Sequence, residues 1–160
     1  MRTIAKKHRT LRQPIKMVNV SDKPMVKRIA EAEGKIWLQP KTIEKIRRRL
    51  VEKGDVFSAA NIAGILAAKK TAELIPLCHL IPLSQVDIRF SVGENSIIAR
   101  CRVVGEYKTG VEMETLLGVT TALLTIWDMV KYLEKDETGQ YPHTKIGEIR
   151  VLKKKKESMK

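Results

Sequence analysis

The stretch VDIRFSVGENSIIARCRVV (Val86–Val104) decides the fold class. Its first half alternates apolar and charged residues, which is the pattern of a strand with one buried face. The run Gly93–Asn95 predicts a tight turn, and the apolar residues of Ile97–Val104 predict an antiparallel partner strand. The stretch therefore predicts a β-hairpin.

Helices are predicted on both sides of this hairpin. VEMETLLGVTTALLTIWDMVKYLEK (Val111–Lys135) carries apolar residues at helical spacing, and two shorter helices are predicted over Pro40–Gly54 and Asp55–Ala72. Further strands are predicted over Val26–Leu38, in two pieces broken near a glycine, and over Ile146–Leu152. Hairpin strands with helices packed on one face make an α+β domain.

Length and charge predict one domain with basic ends. The chain has 160 residues and a net charge of +13, with six basic residues and no acid in residues 1–16. Residues 150–160 hold six basic residues and one acid, which leaves +2 for the rest of the chain. Basic ends can bind nucleic acid, but a nearly balanced body with 4% aromatic residues disfavours a nucleic-acid interface. We expect a basic flexible arm over residues 1–16, one domain over 17–154 and a basic tail over 155–160.

The same sequence gives no sign of export. Cys78 and Cys101 lack the spacing of a metal or redox site, and no apolar signal segment follows the basic N-terminus. No run of 18 or more apolar residues is present, so we expect no membrane span and a soluble cytoplasmic protein.

The segment Ile75–Leu83 holds a histidine among apolar residues. Two prolines prevent a helix there, so we expect an extended loop. A lone His79 in such a place is more often structural than catalytic. Adjacent side chains of an extended segment point to opposite faces, so Cys78 is predicted to lie in the core.

Charged residues on the long helix give two open interpretations. Asp128 and Lys131 share a helix face, either as a surface ion pair of little value or as a partly buried pair with shifted pKa values. Glu112 and Glu114 favour the start of the helix electrostatically, which is a sufficient structural reason for them. Lys53 lies beside a predicted helix N-terminus, where it could hold a phosphate.

Two long runs carry a specific family resemblance. They are KGDVFSAANIAGILAAKKTAELIPLCHLIPL (Lys53–Leu83) and KTGVEMETLLGVTTALLTIWDMVK (Lys108–Lys131), and MVNVSDK (Met17–Lys23) precedes them. Together they closely resemble the cyclic pyranopterin monophosphate synthases of molybdenum cofactor biosynthesis, over about residues 17–154. Residues 138–142 look like an insertion against the pattern of that family.

The resemblance implies a fold, an assembly and a reaction. It implies a ferredoxin-like antiparallel sheet with helices on one face, and a homohexamer built as a trimer of dimers with sites at the dimer interfaces. The catalytic domain would be a lyase that converts (8S)-3',8-cyclo-7,8-dihydroguanosine 5'-triphosphate to cyclic pyranopterin monophosphate and diphosphate. No cofactor is expected to be required, and whether Mg2+ accompanies the triphosphate stays open. The rival readings are a basic nucleic-acid-binding domain and an inactive scaffold member of the family.

The resemblance also assigns the site. Asp128 and Lys131 match the catalytic pair, and the C-terminal lysine is open among the neighbours of Lys154. No metal ligand is assigned. The expected substrate-binding residues are Lys53, Leu77, Cys78, His79, Glu112, Met113, Glu114 and Lys154.

The spacing of two of these residues poses a geometric problem. Glu114 and Asp128 are 14 positions apart, which is ~21 Å along a continuous helix. A small substrate cannot contact both residues closely across that distance. Either the helix breaks near Gly118, or Glu114 of one chain meets Asp128 of another across a two-fold interface, and we favour the second.

Overall fold

The computed structural model describes residues 15–158, so the predicted arm over residues 1–16 lies outside the described residues except for its last two. The elements follow the order β-α-α-α-β-β-α-β. They are β1 (Val26–Trp37), α1 (Pro40–Arg47), α2 (Val56–Lys69), α3 (Thr71–Leu74), β2 (Leu83–Val92), β3 (Ser96–Tyr107), α4 (Glu112–Glu134) and β4 (Lys145–Glu157).

Four antiparallel strands form one sheet in the order β2-β3-β1-β4. The helices α2 and α4 pack on each other and on one face of this sheet. The two halves of the chain thus interleave their strands as in ferredoxin-like domains, and the α+β prediction is confirmed.

The predicted hairpin is formed by β2 and β3. Ile88 lies opposite Cys101, and the backbone N–H of Gly93 donates to Ser96 O at 2.8 Å to close the turn. Ile88 and Cys101 are both buried, so the alternation in the sequence marks the face that meets the helices.

β1 is one strand of 12 residues, so the prediction of two pieces broken near Gly34 is wrong. Gly34 is buried where α4 crosses the sheet. A Cβ there would lie 2.8 Å from Val119 Cγ1 and 2.9 Å from Leu123 Cδ1. The glycine therefore lets the helix approach the strand closely, and its effect on the strand is only a shift in the β1–β4 register beside it.

The helix before Asp55 is shorter than predicted. α1 ends at Arg47, and the backbone then turns through Arg49, whose φ is 57°, instead of continuing to Gly54. The prediction that Asp55 caps α2 is confirmed, because its carboxylate accepts from the Ser58 N–H at 2.7 Å. α2 ends at Lys69 rather than Ala72.

α4 runs without interruption for 23 residues and is the central helix of the fold. By length and composition alone it could cross a membrane. Its apolar face instead packs against β1, β3 and α2, with Val119, Leu123 and Ile126 fully buried. That placement is the one expected of the core helix of a layered domain.

The predicted basic tail over residues 155–160 begins inside a strand. β4 extends to Glu157, with Lys155 opposite Ile29 and Glu157 opposite Lys27 in β1. Backbone groups at the edge of β1 bond to β4 whatever the side chains carry, and the alternating lysines still reach solvent. The sheet therefore includes residues that charge alone assigned to a tail.

Candidate active site

One group of the predicted residues surrounds a cleft at the N-terminal end of α4. The cleft has a volume of about 340 Å³. Three segments form its walls: the stretch before β1, the stretch between α3 and β2, and the turn into α4. The lining residues are Lys16, Val18, Val20, Lys23, Leu77, Cys78, His79, Ile81, Thr109, Gly110, Met113 and Glu114.

The segment with the histidine turns sharply instead of running straight. The Cys78 N–H donates to Ile75 O at 3.0 Å and closes a turn just before His79. Leu77, Cys78 and His79 therefore all line the cleft, and the prediction that Cys78 belongs to the core is wrong because the alternation rule applies only to extended backbone. Burial, with the nearby Glu114 charge, raises the pKa of the Cys78 thiol.

His79 joins the cleft wall to the segment before β1. Its Nε2 lies 3.0 Å from Val18 O. A carbonyl only accepts, so this nitrogen carries the proton that is donated. The ring centroid lies 6.3 Å from that of Tyr107 at the end of β3. The imidazole is thus oriented from two sides.

Glu114 forms the floor of the cleft and is only 3% exposed. Within residues 15–158 its Oε2 has no hydrogen-bond partner. Burial raises the pKa of this carboxyl, and the negative charge of Glu112 adds to the effect. A buried carboxyl with an open oxygen facing a cleft is suited to receive a donor group of a ligand.

The carboxylate of Glu112 lies beside Gly110 of the cleft wall, and its pKa is shifted in the opposite direction from that of Glu114. Its Oε1 accepts from the Lys154 ammonium at 3.0 Å. Partial burial opposes its ionisation, but the Lys154 hydrogen bond and neighbouring positive charges outweigh burial and lower its pKa. Lys154 of β4 lies opposite Ala30, which is buried on the face of the sheet that the helices cover. The Lys154 side chain is therefore on the same face as α4 and reaches Glu112.

A second group lies near the C-terminal end of α4. The Asp128 carboxylate accepts from Lys131 through Oδ1 and from Lys53 through Oδ2, both at 2.8 Å. Lys53 also donates to the Asp128 backbone carbonyl at 2.9 Å. The loop between α1 and α2 thereby brings Lys53 to the helix, which its sequence position did not reveal.

This pair is more exposed than the sequence suggested. The Asp128 side chain is 55% exposed and the Lys131 side chain 49%. In the single chain the two residues therefore form a surface ion pair and not a partly buried one. The Lys131 and Lys53 hydrogen bonds lower the pKa of Asp128 to about 2. Asp128 in turn raises the pKa of Lys131. The ion pair, rather than burial, sets both protonation states.

The two groups of residues lie near opposite ends of the same helix, α4. α4 does not break at Gly118, so Glu114 and Asp128 are separated by ~21 Å along its axis. The structure brings Leu77, Cys78, His79 and Met113 to the Glu114 cleft. Lys154 pairs with Glu112, whose carboxylate lies beside Gly110 of the cleft wall. It places Lys53, Asp128 and Lys131 together at the other end.

Several site residues carry no chemical signal in the sequence. Lys16 and Lys23 line the cleft from the segment before β1, and Thr109 and Gly110 line it from the turn into α4. Apart from Lys16, they fall within the motifs MVNVSDK and KTGVEME, so the motifs could have named them. In the described part of the chain, no three His, Cys, Asp or Glu side chains are grouped to hold a metal ion.

Comparison with known proteins assigns a family to nearly all of the described chain. Residues 17–157 match the model of the MoaC family. A probable cyclic pyranopterin monophosphate synthase of Pyrococcus abyssi is 61% identical over 88% of this chain and 88% of its own length. One of the same name from Thermococcus kodakarensis is 61% identical over 89% and 91% of the two chains.

A further relative carries a slightly different name. It is a probable cyclic pyranopterin monophosphate synthase accessory protein of Methanothermobacter thermautotrophicus, 54% identical over 89% of both chains. The family match covers both groups of charged residues and the helix that joins them. The chain belongs to the MoaC family.

Proposed function

We propose that this chain is a cyclic pyranopterin monophosphate synthase, a cytoplasmic lyase of molybdenum cofactor biosynthesis. It converts (8S)-3',8-cyclo-7,8-dihydroguanosine 5'-triphosphate to cyclic pyranopterin monophosphate and diphosphate. The observation that carries the proposal is the clamp of Asp128 between Lys53 and Lys131, in a chain 61% identical to relatives named as this synthase. A nucleic-acid-binding role finds no support in these relatives.

The proposal gives Lys131 the proton transfers. Its pKa is raised by Asp128, so at neutral pH the resting side chain is an ammonium, which gives up its proton only to a stronger base formed during the reaction. Asp128 stays ionised down to about pH 2 and holds that ammonium in one direction. Once the proton has left, the same lysine can take one back, which serves a reaction that opens one ring and forms another.

Lysines and carboxyls would bind different parts of the substrate. Lys53 and Lys154 supply positive charge that stabilises the phosphates while the cyclic phosphate forms and diphosphate leaves. The ionised Glu112 accepts hydrogen bonds, as the N–H groups at the guanidine-like edge of the purine require. Glu114 faces the same ligand from the floor of the cleft with its unoccupied acceptor oxygen.

A complete site in this proposal is made by two chains. Within one chain the Glu114 cleft and the Asp128 clamp are ~21 Å apart on a continuous helix. A two-fold interface that sets antiparallel copies of α4 near each other would bring the cleft of one chain to the clamp of the next, twice per dimer. We propose a homohexamer arranged as a trimer of such dimers. No cofactor is part of the proposal.

The decisive assay supplies the cyclic triphosphate and measures diphosphate release together with the mass of the pterin product. Parallel reactions with Mg2+ and with a chelator decide whether the metal accompanies the triphosphate. Lys155→Ala serves as the matched surface control for variants of the clamp lysines. A correctly folded oligomer that releases no diphosphate under either condition would contradict the proposal and favour an inactive scaffold.

A further inference from the structure

The Tyr132 hydroxyl joins α4 to the loop between α1 and α2, and Tyr132 is not among the residues assigned to the site. Its Oη accepts from the backbone N–H of Glu52 at 3.0 Å. Tyr132 follows Asp128 by four residues, so the two side chains are neighbours on one face of α4. That face therefore holds the loop at two adjacent points, since Asp128 binds the Lys53 ammonium and Tyr132 binds the N–H of the residue before it.

Glu52 and Lys53 form the tip of a tight turn. The Gly54 N–H donates to Val51 O at 3.0 Å and closes the turn, and Val51 is buried. A β-turn of this kind is closed by the bond between its first and fourth residues, and the N–H of its second residue takes no part in that bond. The turn therefore sets the local shape of the tip, whereas the Tyr132 bond sets the position of the tip against α4.

The ion pair with Asp128 is by itself a weak restraint on Lys53. Lysine has a flexible four-carbon side chain, and the Lys53 side chain is 41% exposed. An exposed ion pair gains little free energy against the entropy lost in holding such a side chain in one geometry. A fixed backbone at the loop tip lowers that entropy cost, because only the side-chain torsions remain to be ordered.

We propose that Tyr132 is a positioning residue for Lys53: its hydrogen bond to the loop tip keeps the Lys53 ammonium on the Asp128 carboxylate. The inference rests on the proposed function, in which Lys53 supplies charge to the phosphates of the substrate. In this role Tyr132 acts only through the position of Lys53. Its hydroxyl oxygen is the acceptor, so Tyr132→Phe keeps the ring and loses the bond.

The first test observes the Asp128 carboxylate directly by NMR. The chain has five aspartates, so selective carbon-13 labelling of their carboxyl groups gives few signals, and Asp128→Asn assigns the one that matters. The pKa of Asp128 is about 2, so at pH 7 its signal reports contacts and not protonation. Lys53→Ala defines the signal of an Asp128 carboxylate that has lost Lys53. Tyr132→Phe should move the signal part of the way toward that position.

The second test is a double-mutant cycle on kcat/KM with the cyclic triphosphate. Tyr132→Phe should lower kcat/KM about three- to tenfold, the scale of one lost hydrogen bond. In the Lys53→Ala background, Tyr132→Phe should change neither kcat/KM nor the Asp128 signal further, because the side chain that it positions is gone. A bond that served only the fold would give no such coupling to Lys53.

Thr138→Val is the matched control, because it loses one hydroxyl hydrogen bond, to Asp136 Oδ1, in an exposed loop. It should change neither the Asp128 signal nor kcat/KM. An unmoved Asp128 signal in Tyr132→Phe would overturn the inference, and so would an equal loss of kcat/KM with and without Lys53. If the wild-type chain shows no turnover, the proposed function fails, while the Asp128 signal still decides whether Tyr132 positions Lys53.

Discussion

The Lys53 ammonium lies 2.8 Å from Oδ2 of Asp128, on the carboxylate oxygen that Lys131 leaves free. One carboxylate thus organises two cations from separate segments of the chain. All three side chains remain between 41% and 55% exposed, so the cluster is accessible to a substrate. An exposed cluster of this kind adds little to stability, so its value lies in the placement of charge.

Substitution of either α4 member of the clamp should remove activity without unfolding the protein. Lys131→Ala and Asp128→Ala are each expected to lower kcat by at least ~10²-fold, the scale of a lost acid–base group. Diphosphate release measures the effect, and circular dichroism checks the fold. Lys155→Ala, an exposed lysine on β4, should retain full turnover. Near-normal kcat in either clamp variant would refute the assigned role.

Adjacent lysines of β4 should differ sharply in their effect on substrate. Lys154 reaches Glu112 on the helix side of the sheet, whereas Lys155 lines a groove on the opposite face. Lys154→Ala should lower kcat/KM by about tenfold or more, since it loses a charged hydrogen-bond donor. Lys155→Ala should change kcat/KM less than about twofold, because surface charges away from the site have small effects. Equal losses in both variants would mean that only net charge matters.

The buried Glu114 carboxyl should make stability depend on pH. Its folded pKa is raised above the ordinary value of 4.5, so the folded state binds the proton more tightly than the unfolded state. Stability from this group is therefore full below pH 4.5 and declines as the pH rises through the folded pKa. Glu114→Gln does not titrate, so it should escape this decline.

Thermal unfolding of Glu114→Gln and wild type at pH 4 and pH 7 measures the difference. The variant should gain roughly 1 kcal/mol relative to wild type at pH 7, or about 2–4 °C in Tm, and the gain should vanish near pH 4. Glu137→Gln, an exposed loop position, should show no such pH dependence. A Tm difference that is the same at both pH values would show that Glu114 is not held at a raised pKa.

Local patterns predicted the elements of the fold better than their ends. The alternation over Val86–Val104 and the helical spacing after Val111 each reflect a buried face, and both elements formed as predicted. β1 was predicted in two pieces because a glycine is a local signal. The helix that crosses Gly34 is a tertiary contact, and no local pattern encodes it. The sequence predicts β4 only as far as Leu152, because a run of lysines follows. The strand continues to Glu157, since backbone pairing with β1 does not depend on lysine charge.

For the site, local patterns left the decisive contacts unseen. Asp128 and Lys131 are visible as an i, i+3 pair, but Lys53 joins them only through the path of the α1–α2 loop. Cys78 was assigned to the core by a rule for extended chains that the turn from Ile75 breaks.

The two parts of the N-terminal segment should differ when deleted. Deletion of residues 1–14 leaves the family match over residues 17–157 intact, so turnover should stay within about threefold. Deletion of residues 1–20 removes the Val18 carbonyl that His79 contacts, and should lower kcat/KM at least ~10-fold by loosening that ring. Steady-state kinetics of both truncations provides the measurement. A hundredfold loss in the shorter truncation would mean that residues 1–14 reach the site.

A site shared between chains should show itself when damaged subunits are mixed. Glu114→Ala and Asp128→Ala oligomers, each inactive, are unfolded and refolded together in equal amounts, and mass spectrometry verifies mixing. Because α4 keeps the two residues ~21 Å apart in one chain, a mixed dimer carries one doubly damaged site and one intact site. Random pairing makes roughly half of the dimers mixed, so about a quarter of normal activity should return.

The control mixes wild type with the Glu114→Ala/Asp128→Ala double variant. Shared sites leave about a quarter of full activity there, whereas sites within one chain leave about half. Verified mixing without recovery in the first experiment, and half activity in the second, would place both residues in a site of one chain.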